Sequence, residues 1–345
     1  MKDNYFMQHL NTPINIWIAE CFSCQVDLID LIKSSKSLNT AKVFSSHTID
    51  KNELKKASDF FEVQPPIRES GEWLLNKCIQ NKINLLFCGK KGVHVEHLRE
   101  EFARNNIMLV TGASDVDTHH ILDDKYKFTK ICQANNIQVV PAYLVQNRSE
   151  LIEAIEKTKS EFVNVCAKPV FGVYGFGFVR LDDQVSKFRH IEDPLVCNTF
   201  MFIDAYAEEI DPRPYLIMPY IENEECSVDI SCVHGEIISK VTRIKYEDHQ
   251  QCVVNSECDA VANQLVKLFE LDGLINIQFK KHVDGQWYVL EINNRPSGGF
   301  YYTQHTGINL IEDLICQKLN IPQLENQTPV DAVVRTRMLS YKDSM

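Results

Sequence analysis

A hairpin pattern around residue 285 constrains the fold more than any other feature of this 345-residue sequence. Two strand-like segments, 274–280 and 287–293, flank the dipeptide Asp284-Gly285, which is typical of two-residue hairpin turns. If these two residues form the centre of the turn, opposed residue numbers sum to 569. One face of the hairpin is then apolar and predicted to be buried, whereas the other face is polar.

The polar face of this hairpin gathers oxygen-bearing side chains. In the predicted register Gln278 opposes Glu291, and Asn276 opposes Asn293. Hard oxygen ligands of this kind suit Mg²⁺, which binds one or two carboxylates together with substrate phosphates. A solvated sheet face would more typically carry Lys, Thr and Glu. The pattern therefore favours a magnesium site over an ordinary exposed face.

A glycine-rich loop with the spacing G-x-x-G-x-G follows Lys168 and lies between two further strand patterns. Glycines let backbone N–H groups approach phosphate oxygens closely, and a neighbouring cation completes a nucleotide clamp. Because a strand follows where a P-loop would continue into a helix, the functional interpretation is a flap over phosphates. The alternative is a glycine-bearing hairpin packed by Phe171, Tyr174 and Phe176.

An acidic turn interrupts two strand patterns between residues 216 and 229. The backbone edge from Met218 to Ile221 offers hydrogen-bonding groups to a purine, and Glu225 offers an acceptor to ribose hydroxyls. An acidic surface turn explains the same residues, so the segment alone does not decide between them.

The first 118 residues alternate strand and helix patterns. Strand patterns occupy 14–18, 41–44, 83–88 and 107–110, and helical patterns occupy 26–32 and 93–104. This alternation predicts a parallel, Rossmann-like sheet, without a glycine fingerprint after its first strand. The remainder predicts an α+β half, with hairpin-like strands and helices at 121–134, 259–270 and 308–318.

Composition excludes several classes of function. The 36 Lys and Arg against 47 Asp and Glu give a net charge of −11, which argues against nucleic-acid binding. No apolar run is long enough to cross a membrane, and Met1 to Leu10 lacks a signal-peptide pattern, so a cytoplasmic protein is predicted. The twelve cysteines, including the Cys21-x-x-Cys24 pair, are interpreted as buried free thiols in a reducing compartment.

Taken in order, these motifs resemble the ATP-grasp superfamily, specifically the branch that contains carbamoyl-phosphate synthetase and biotin carboxylase. The match covers about residues 122–315. The resemblance implies an α/β plus α+β fold in three parts. These are a Rossmann-like pre-ATP-grasp domain at 1–118, an ATP-grasp N-terminal part with a glycine-flap lid at 119–217, and a C-terminal part with the metal site at 218–345.

The resemblance also implies how a nucleotide is bound. Lys125 and Lys168 are similar to the two ATP-binding lysines of the family and would contact the phosphates. The remaining expected nucleotide contacts are the flap glycines Gly172, Gly175 and Gly177, the adenine hinge at Met218, Tyr220 and Ile221, and Glu225 at the ribose.

Metal and catalytic residues follow from the same resemblance. Gln278, Glu291 and Asn293 would hold Mg²⁺, with Mn²⁺ as the alternative ion, and Arg295 would face the transferred group. Arg243, on a neighbouring strand pattern, is either a further substrate- or phosphate-binding cation or an exposed charge that aids solubility.

Three residues depart from the family pattern. Gln278 stands where many members carry a carboxylic acid, which leaves the number of metal ions open. Met218 stands where glutamate is frequent, so adenine recognition would rest on the backbone. Asn223 replaces a glycine, which is tolerable because asparagine also adopts positive φ.

The activity implied by the resemblance is an ATP- and Mg²⁺-dependent ligase that joins a small-molecule carboxylate to an amine through an acyl phosphate. A small-molecule kinase and a non-catalytic regulatory ATP-binding protein are the alternatives. No nucleic-acid or membrane partner is expected, and homo-oligomerisation is left open.

Overall fold

The computed structural model describes residues 13–90, 92–172, 175–324 and 328–337. The N-terminal segment Met1 to Leu10 and most of the polar tail after Arg335 therefore lie outside the described residues, as do Val173 and Tyr174 of the glycine loop.

A five-stranded parallel sheet forms the first part of the chain. Its strand order is β3-β2-β1-β4-β5, so the order reverses between β1 and β4. This confirms the predicted Rossmann-like sheet. The elements are β1 (Asn15–Ile18), α1 (Gln25–Ser34), β2 (Lys42–His47), α2 (Asn52–Ala57), β3 (Phe60–Val63), α3 (Ser70–Gln80), β4 (Leu85–Phe87), α4 (Val93–Glu96), α5 (Arg99–Arg104) and β5 (Met108–Val110).

Apolar side chains cover both faces of this sheet. Ile16 and Ile18 pack with helix α1 on one side, whereas Trp17 packs with Phe44 and Leu86 on the other. A parallel sheet is normally buried on both faces, which explains why Ile16, Trp17 and Ile18 of β1 are all apolar. The polar residues that are available for binding or catalysis therefore follow the C-terminal ends of the strands.

The middle of the chain forms a second five-stranded sheet with the order β6-β10-β7-β8-β9. Its elements, with the two helices that precede them, are α6 (Val116–Asp123), α7 (Lys125–Ala134), β6 (Tyr143–Val145), α8 (Arg148–Glu161), β7 (Val165–Pro169), β8 (Val179–Asp182), α9 (Arg189–Glu192), β9 (Val196–Asn198), α10 (Thr199–Glu208) and β10 (Tyr215–Pro219). Strands β7 and β8 are antiparallel and flank the glycine loop.

The predicted single helix over 121–134 is wrong, because Asp124 interrupts it. The Asp124 backbone is extended, and its carboxylate accepts hydrogen bonds from the backbone N–H groups of Tyr126 and Lys127 at 3.1 and 3.0 Å. An aspartate that satisfies the first N–H groups of a helix is a strong N-cap. Helix α7 therefore begins at Lys125.

The last part of the chain forms a six-stranded sheet with the order β15-β14-β11-β12-β13-β16. A 3₁₀ segment, Phe300–Thr306, follows the predicted hairpin, which is formed by β14 and β15. The elements are β11 (Glu225–Val233), β12 (Glu236–Lys245), β13 (Gln250–Val253), α11 (Asp259–Leu268), β14 (Gly273–Lys281), β15 (Trp287–Asn293), α12 (Leu310–Leu319) and β16 (Ala332–Val334).

The turn between β14 and β15 has three residues rather than two. The His282 N–H donates to the Gln286 carbonyl at 2.9 Å, and the Gly285 N–H donates to the His282 carbonyl at 3.0 Å. Gly285 has a φ of 83°, the left-handed residue that closes a three-residue hairpin loop. Opposed residue numbers next to the turn therefore sum to 568, and the predicted register of 569 is wrong there.

By its backbone contacts the chain divides into two compact units. The first unit comprises residues 1–119, 226–278 and 292–345, and the second comprises residues 120–225 and 279–291. The three-part division proposed from the sequence stays a prediction.

All twelve cysteines are buried free thiols, as the sequence analysis predicted. Among the described helices, none combines the length and the apolar character needed to cross a membrane.

Candidate functional site

Lys125 lies at the first position of helix α7 and contacts the glycine loop. Its Nζ donates to the Gly172 carbonyl at 2.9 Å, and its backbone N–H points to the Val170 carbonyl at 3.4 Å. The Asp124 cap fixes the start of the helix and therefore the position from which this lysine extends. One predicted phosphate-binding lysine and the predicted flap are thus brought together in the second unit.

Lys168, the other predicted phosphate-binding lysine, contacts a predicted metal ligand. Its Nζ lies 2.6 Å from Glu291 Oε2, although the two residues are 123 positions apart in sequence. Both side chains are about a fifth exposed, at 17% and 20%. Solvent therefore still reaches both charges and screens part of their attraction, so the pair contributes only modestly to folding.

The glycine loop runs from β7 to β8 and uses positive φ angles at all three predicted glycines, Gly172, Gly175 and Gly177. At Gly177, where φ is 76°, a Cβ atom would lie only 2.7 Å from Pro169 Cγ. At Gly175, with a φ of 67°, a Cβ atom would meet none of the described atoms within 4 Å. Gly177 is therefore required for packing as well as for conformation, whereas Gly175 is required for conformation alone.

The predicted adenine hinge lies at the end of β10, beside an apolar cluster of the second unit. Met218 pairs with Cys166 of β7, and the Tyr220 N–H donates to the Asn164 carbonyl at 2.8 Å. This N–H is therefore used within the protein. The cluster offers apolar side chains that suit the faces of a purine; its buried members are Val140, Ala142, Cys166, Val170, Leu216, Met218 and Ile221, with Tyr220, Tyr288 and Leu290 packed against them.

Two lysines form ion pairs with the acidic turn that follows the predicted adenine hinge. Glu225, the predicted ribose-binding residue, lies 3.2 Å from Lys280 Nζ, and Glu224 lies 3.4 Å from Lys281 Nζ. Glu225 is only about a quarter exposed. Its carboxylate is thus oriented by Lys280.

Arg243 is buried in the first unit, so its interpretation as an exposed charge is wrong. Only 2% of the residue is exposed, and its guanidinium donates to Asp229, Gln250 and Ser297, each at 2.6 Å. The planar fork of arginine suits such simultaneous contacts. A Cβ atom at Gly299 would lie 2.4 Å from Arg243 Nη1, so the loop after Ser297 passes directly over the guanidinium.

Arg295 lies in the first unit, near the loop that follows β1. Its guanidinium carbon is 4.4 Å from the centroid of the Phe22 ring, a cation–π contact. Gln278 and Asn293, the two predicted amide ligands, lie on β14 and β15 and are both half-buried.

Comparisons with known proteins agree with this architecture. Residues 211–341 match a family model described as "ATP-grasp in the biosynthetic pathway with Ter operon". The fold is similar to that of N5-carboxyaminoimidazole synthetase from Staphylococcus aureus, with a TM-score of 0.65 and 15% identity, over 93% of this chain and 81% of that one. The chain therefore has the ATP-grasp fold.

Two other solved structures share the ATP-grasp fold of this chain. An L-amino acid ligase from Bacillus licheniformis has a TM-score of 0.65 and 13% identity, over 95% of this chain and 81% of that chain. The complex of biotin carboxylase with β,γ-ATP from Campylobacter jejuni has a TM-score of 0.63 and 16% identity, over 92% and 74% of the two chains. Among curated protein sequences, none matches significantly.

The donor set of this chain fits a magnesium site that relies on few carboxylates. Among the described residues, no group of three or more His, Cys, Asp or Glu side chains is arranged to hold a metal ion. Mg²⁺ commonly takes one or two protein carboxylates and completes its shell with phosphates and water. Glu291 is the carboxylate predicted for this role, and its Oε2 atom contacts Lys168 in this structure.

The sequence analysis missed a buried hydrogen-bond network around Asp229. Besides Arg243, the Asp229 carboxylate accepts hydrogen bonds from Asn276 at 2.9 Å and from Ser297 at 3.0 Å. Asn276 is fully buried and therefore contributes to this network. A signal was present, since Asp229 ends the segment 216–229 that contains the predicted ribose-binding residue Glu225, but nothing in the sequence pairs Asp229 with Arg243.

Proposed function

We propose that the protein is an ATP- and Mg²⁺-dependent ligase that joins a small-molecule carboxylate to an amine. The contact between Lys168 and Glu291 carries this proposal, because the cation predicted to bind phosphate and the carboxylate predicted to bind the metal lie 2.6 Å apart. The fold supports it as well: the similar structures are named as a synthetase, a carboxylase and an amino acid ligase.

The nucleotide-binding roles are proposed for residues of the second unit. Lys125 and Lys168 would bind phosphate oxygens, because both ammonium groups lie beside the glycine loop or the strand that leads into it. The apolar cluster around Met218 would receive the adenine, and Glu225 the ribose hydroxyls. When bound, Mg²⁺ would neutralise charge on the phosphates. Glu291 is the proposed carboxylate ligand, and the roles of Gln278 and Asn293 as further ligands stay predictions.

An acyl phosphate accounts for the need for ATP. A carboxylate is a poor electrophile, but attack of its oxygen on the γ-phosphorus releases ADP and yields a mixed anhydride. The amine then attacks the acyl carbon, phosphate leaves, and the amine loses a proton. The cationic side chain of Arg295 would stabilise the charge that develops on the transferred phosphoryl oxygens.

The proposed function is tested by a screen of carboxylates and amines in which ADP and phosphate are measured. We expect ADP release that requires Mg²⁺, a carboxylate and an amine together. Release that requires only one acceptor and forms a stable phosphorylated product would identify a kinase. Tight ATP binding without turnover over the whole screen would instead favour the regulatory alternative.

A matched pair of variants ties the activity to the site. Lys168→Ala removes the proposed phosphate contact, and Lys159→Ala removes a lysine of the same unit whose 2.6 Å partner, Asp183, lies in no predicted site. We expect activity to be lost in the first variant and kept in the second. Equal activity in both would contradict the assignment.

A further inference from the structure

A polar cluster occupies the C-terminal edge of the first parallel sheet. In open α/β sheets, ligands bind outside the carboxyl ends of the strands, at the point where the strand order reverses. That point lies here between β1 and β4. The loop after β1 carries Glu20 and Phe22, and the loop after β4 carries Lys90.

Glu20 is a buried carboxylate whose hydrogen-bonding capacity is taken up by the protein. It is only 3% exposed; Oε1 lies 2.5 Å from Lys90 Nζ, and Oε2 accepts from the Thr48 N–H at 3.1 Å. Burial alone would raise the pKa of Glu20, but the hydrogen bonds from Lys90 and Thr48 hold it below the ordinary value. Glu20 is therefore ionised and orients the lysine.

Lys90 is the accessible member of this pair. Its side chain is 29% exposed, whereas that of Glu20 is 3% exposed. The nearby His47 ring, 3.7 Å from Glu20, adds no charge at neutral pH, because burial lowers its pKa. A molecule that enters this edge of the sheet therefore meets an ammonium group held in a fixed direction.

Lys90 and Arg295 both lie close to the aromatic ring of Phe22. Lys90 Nζ lies 5.7 Å from the centroid of the Phe22 ring, and the guanidinium carbon of Arg295 lies 4.4 Å from the same centroid. The two cations are thus at most about 10 Å apart. The next residue, Ser23, lies close to the loop that follows Arg295. A Cβ atom added at Gly298 would be only 3.2 Å from Ser23 Oγ.

We propose that Lys90, oriented by Glu20, binds a second anionic group on the carboxylate substrate, while Arg295 faces the group that is activated. This inference rests on the proposed function and adds a substrate class to it: acids with two anionic groups, either dicarboxylates or phosphorylated acids. Lys90 is a specificity residue in this scheme. Glu20 is a positioning residue, because it acts on the substrate only through Lys90.

The test compares binding of acids with one and with two anionic groups. Wild type, Lys90→Met and the control Lys33→Met are titrated calorimetrically, with and without MgADP, against succinate, glutarate, 3-phosphoglycerate and butyrate. Lys33 of the same unit also contacts a carboxylate, Asp59 at 3.0 Å, but Asp59 precedes β3 and therefore lies at the opposite, N-terminal edge of the sheet. We expect wild type and Lys33→Met to prefer a two-anion acid. Lys90→Met should lose at least about tenfold in affinity for that acid, the scale of one charge-assisted hydrogen bond, with butyrate unaffected.

Every outcome of this comparison decides the point. Unchanged affinity in Lys90→Met, a wild-type preference for butyrate, or no binding of any acid would overturn the proposal. If Lys90→Met melts early, Lys90→Arg and Glu20→Gln replace it: the first should keep the two-anion preference, and the second should weaken it. Acid binding that depends on Lys90 without ADP release would contradict the ligase function alone, whereas ADP release that does not depend on Lys90 would contradict this inference alone.

Discussion

Removal of the Lys168 ammonium group should weaken ATP binding far more than it weakens the fold. The side chain is 17% exposed and lies 2.6 Å from Glu291. In Lys168→Ala, a phosphate loses one charge-assisted hydrogen bond, worth roughly 1.5–3 kcal/mol, and Glu291 loses its counter-charge. The dissociation constant for ATP should therefore rise roughly 10- to 150-fold.

The stability of the protein should change much less. A partly exposed ion pair contributes about 1 kcal/mol or less to folding, because solvent screens both charges. We therefore expect a similar unfolding midpoint in denaturant for wild type and Lys168→Ala, which separates loss of binding from loss of structure.

Calorimetry with MgATP measures the dissociation constant for ATP in each variant. Lys159→Ala is the matched control, since that lysine also lies 2.6 Å from a carboxylate in the second unit. A double-mutant cycle with Glu291→Gln then reports the coupling between the two side chains. Unchanged ATP affinity in Lys168→Ala, or an equal loss in Lys159→Ala, would refute the reasoning.

Three further outcomes are expected. Glu291→Ala should abolish Mg²⁺-dependent turnover in steady-state assays while circular dichroism stays native, because the residue is partly exposed; near-normal activity in the folded variant would remove it from the metal site. Arg295→Ala should lower kcat on the order of 10²-fold with little change in ATP affinity, the scale of one pre-aimed donor; an intact kcat with weakened ATP binding would make this arginine a nucleotide contact instead. Burial opposes ionisation of Glu96, but hydrogen bonds from His119, Arg99 and Thr111 lower its pKa to about 2, from an ordinary 4.5. Its contribution to stability, up to about 3 kcal/mol, is therefore present above pH 5 and lost as the pH falls toward 2. The difference in unfolding free energy between wild type and Glu96→Gln should accordingly narrow over that range in denaturant titrations, and a constant difference would show that the charge is not responsible.

Local patterns in the sequence predicted the elements that are marked by hydrophobic periodicity or by a turn signal. The alternation of strands and helices identified the first parallel sheet, and two strand patterns around Asp284 and Gly285 identified the hairpin. The sequence analysis missed α2, β3 and α3 between β2 and β4. Helix α2 has six residues and one buried side chain, Leu54, so its pattern is weak, whereas α3 has a helical apolar pattern, with Leu74 and Cys78 buried, that was overlooked.

The errors arose where one residue or a distant partner decides the structure. Asp-Gly fits both two- and three-residue turns, and only the hydrogen bonds that join His282 to Gln286 and to Gly285 show which is formed. Arg243 sits on an ordinary strand pattern, and its burial depends on Asp229 and on Ser297, 14 and 54 residues away. Pairings at that distance follow from the fold and cannot be deduced from local spacing.

The cysteines give this protein a built-in set of unfolding reporters. Burial raises the pKa of Cys24 and of Cys166 to about 12, and none of the twelve residues is more than 5% exposed, so the native thiols should resist maleimides at neutral pH. Cys132, Cys166 and Cys197 belong to the second unit, and the other nine belong to the first. A labelling pulse during denaturation, read by peptide mass spectrometry, would therefore time the opening of each unit separately without any introduced probe.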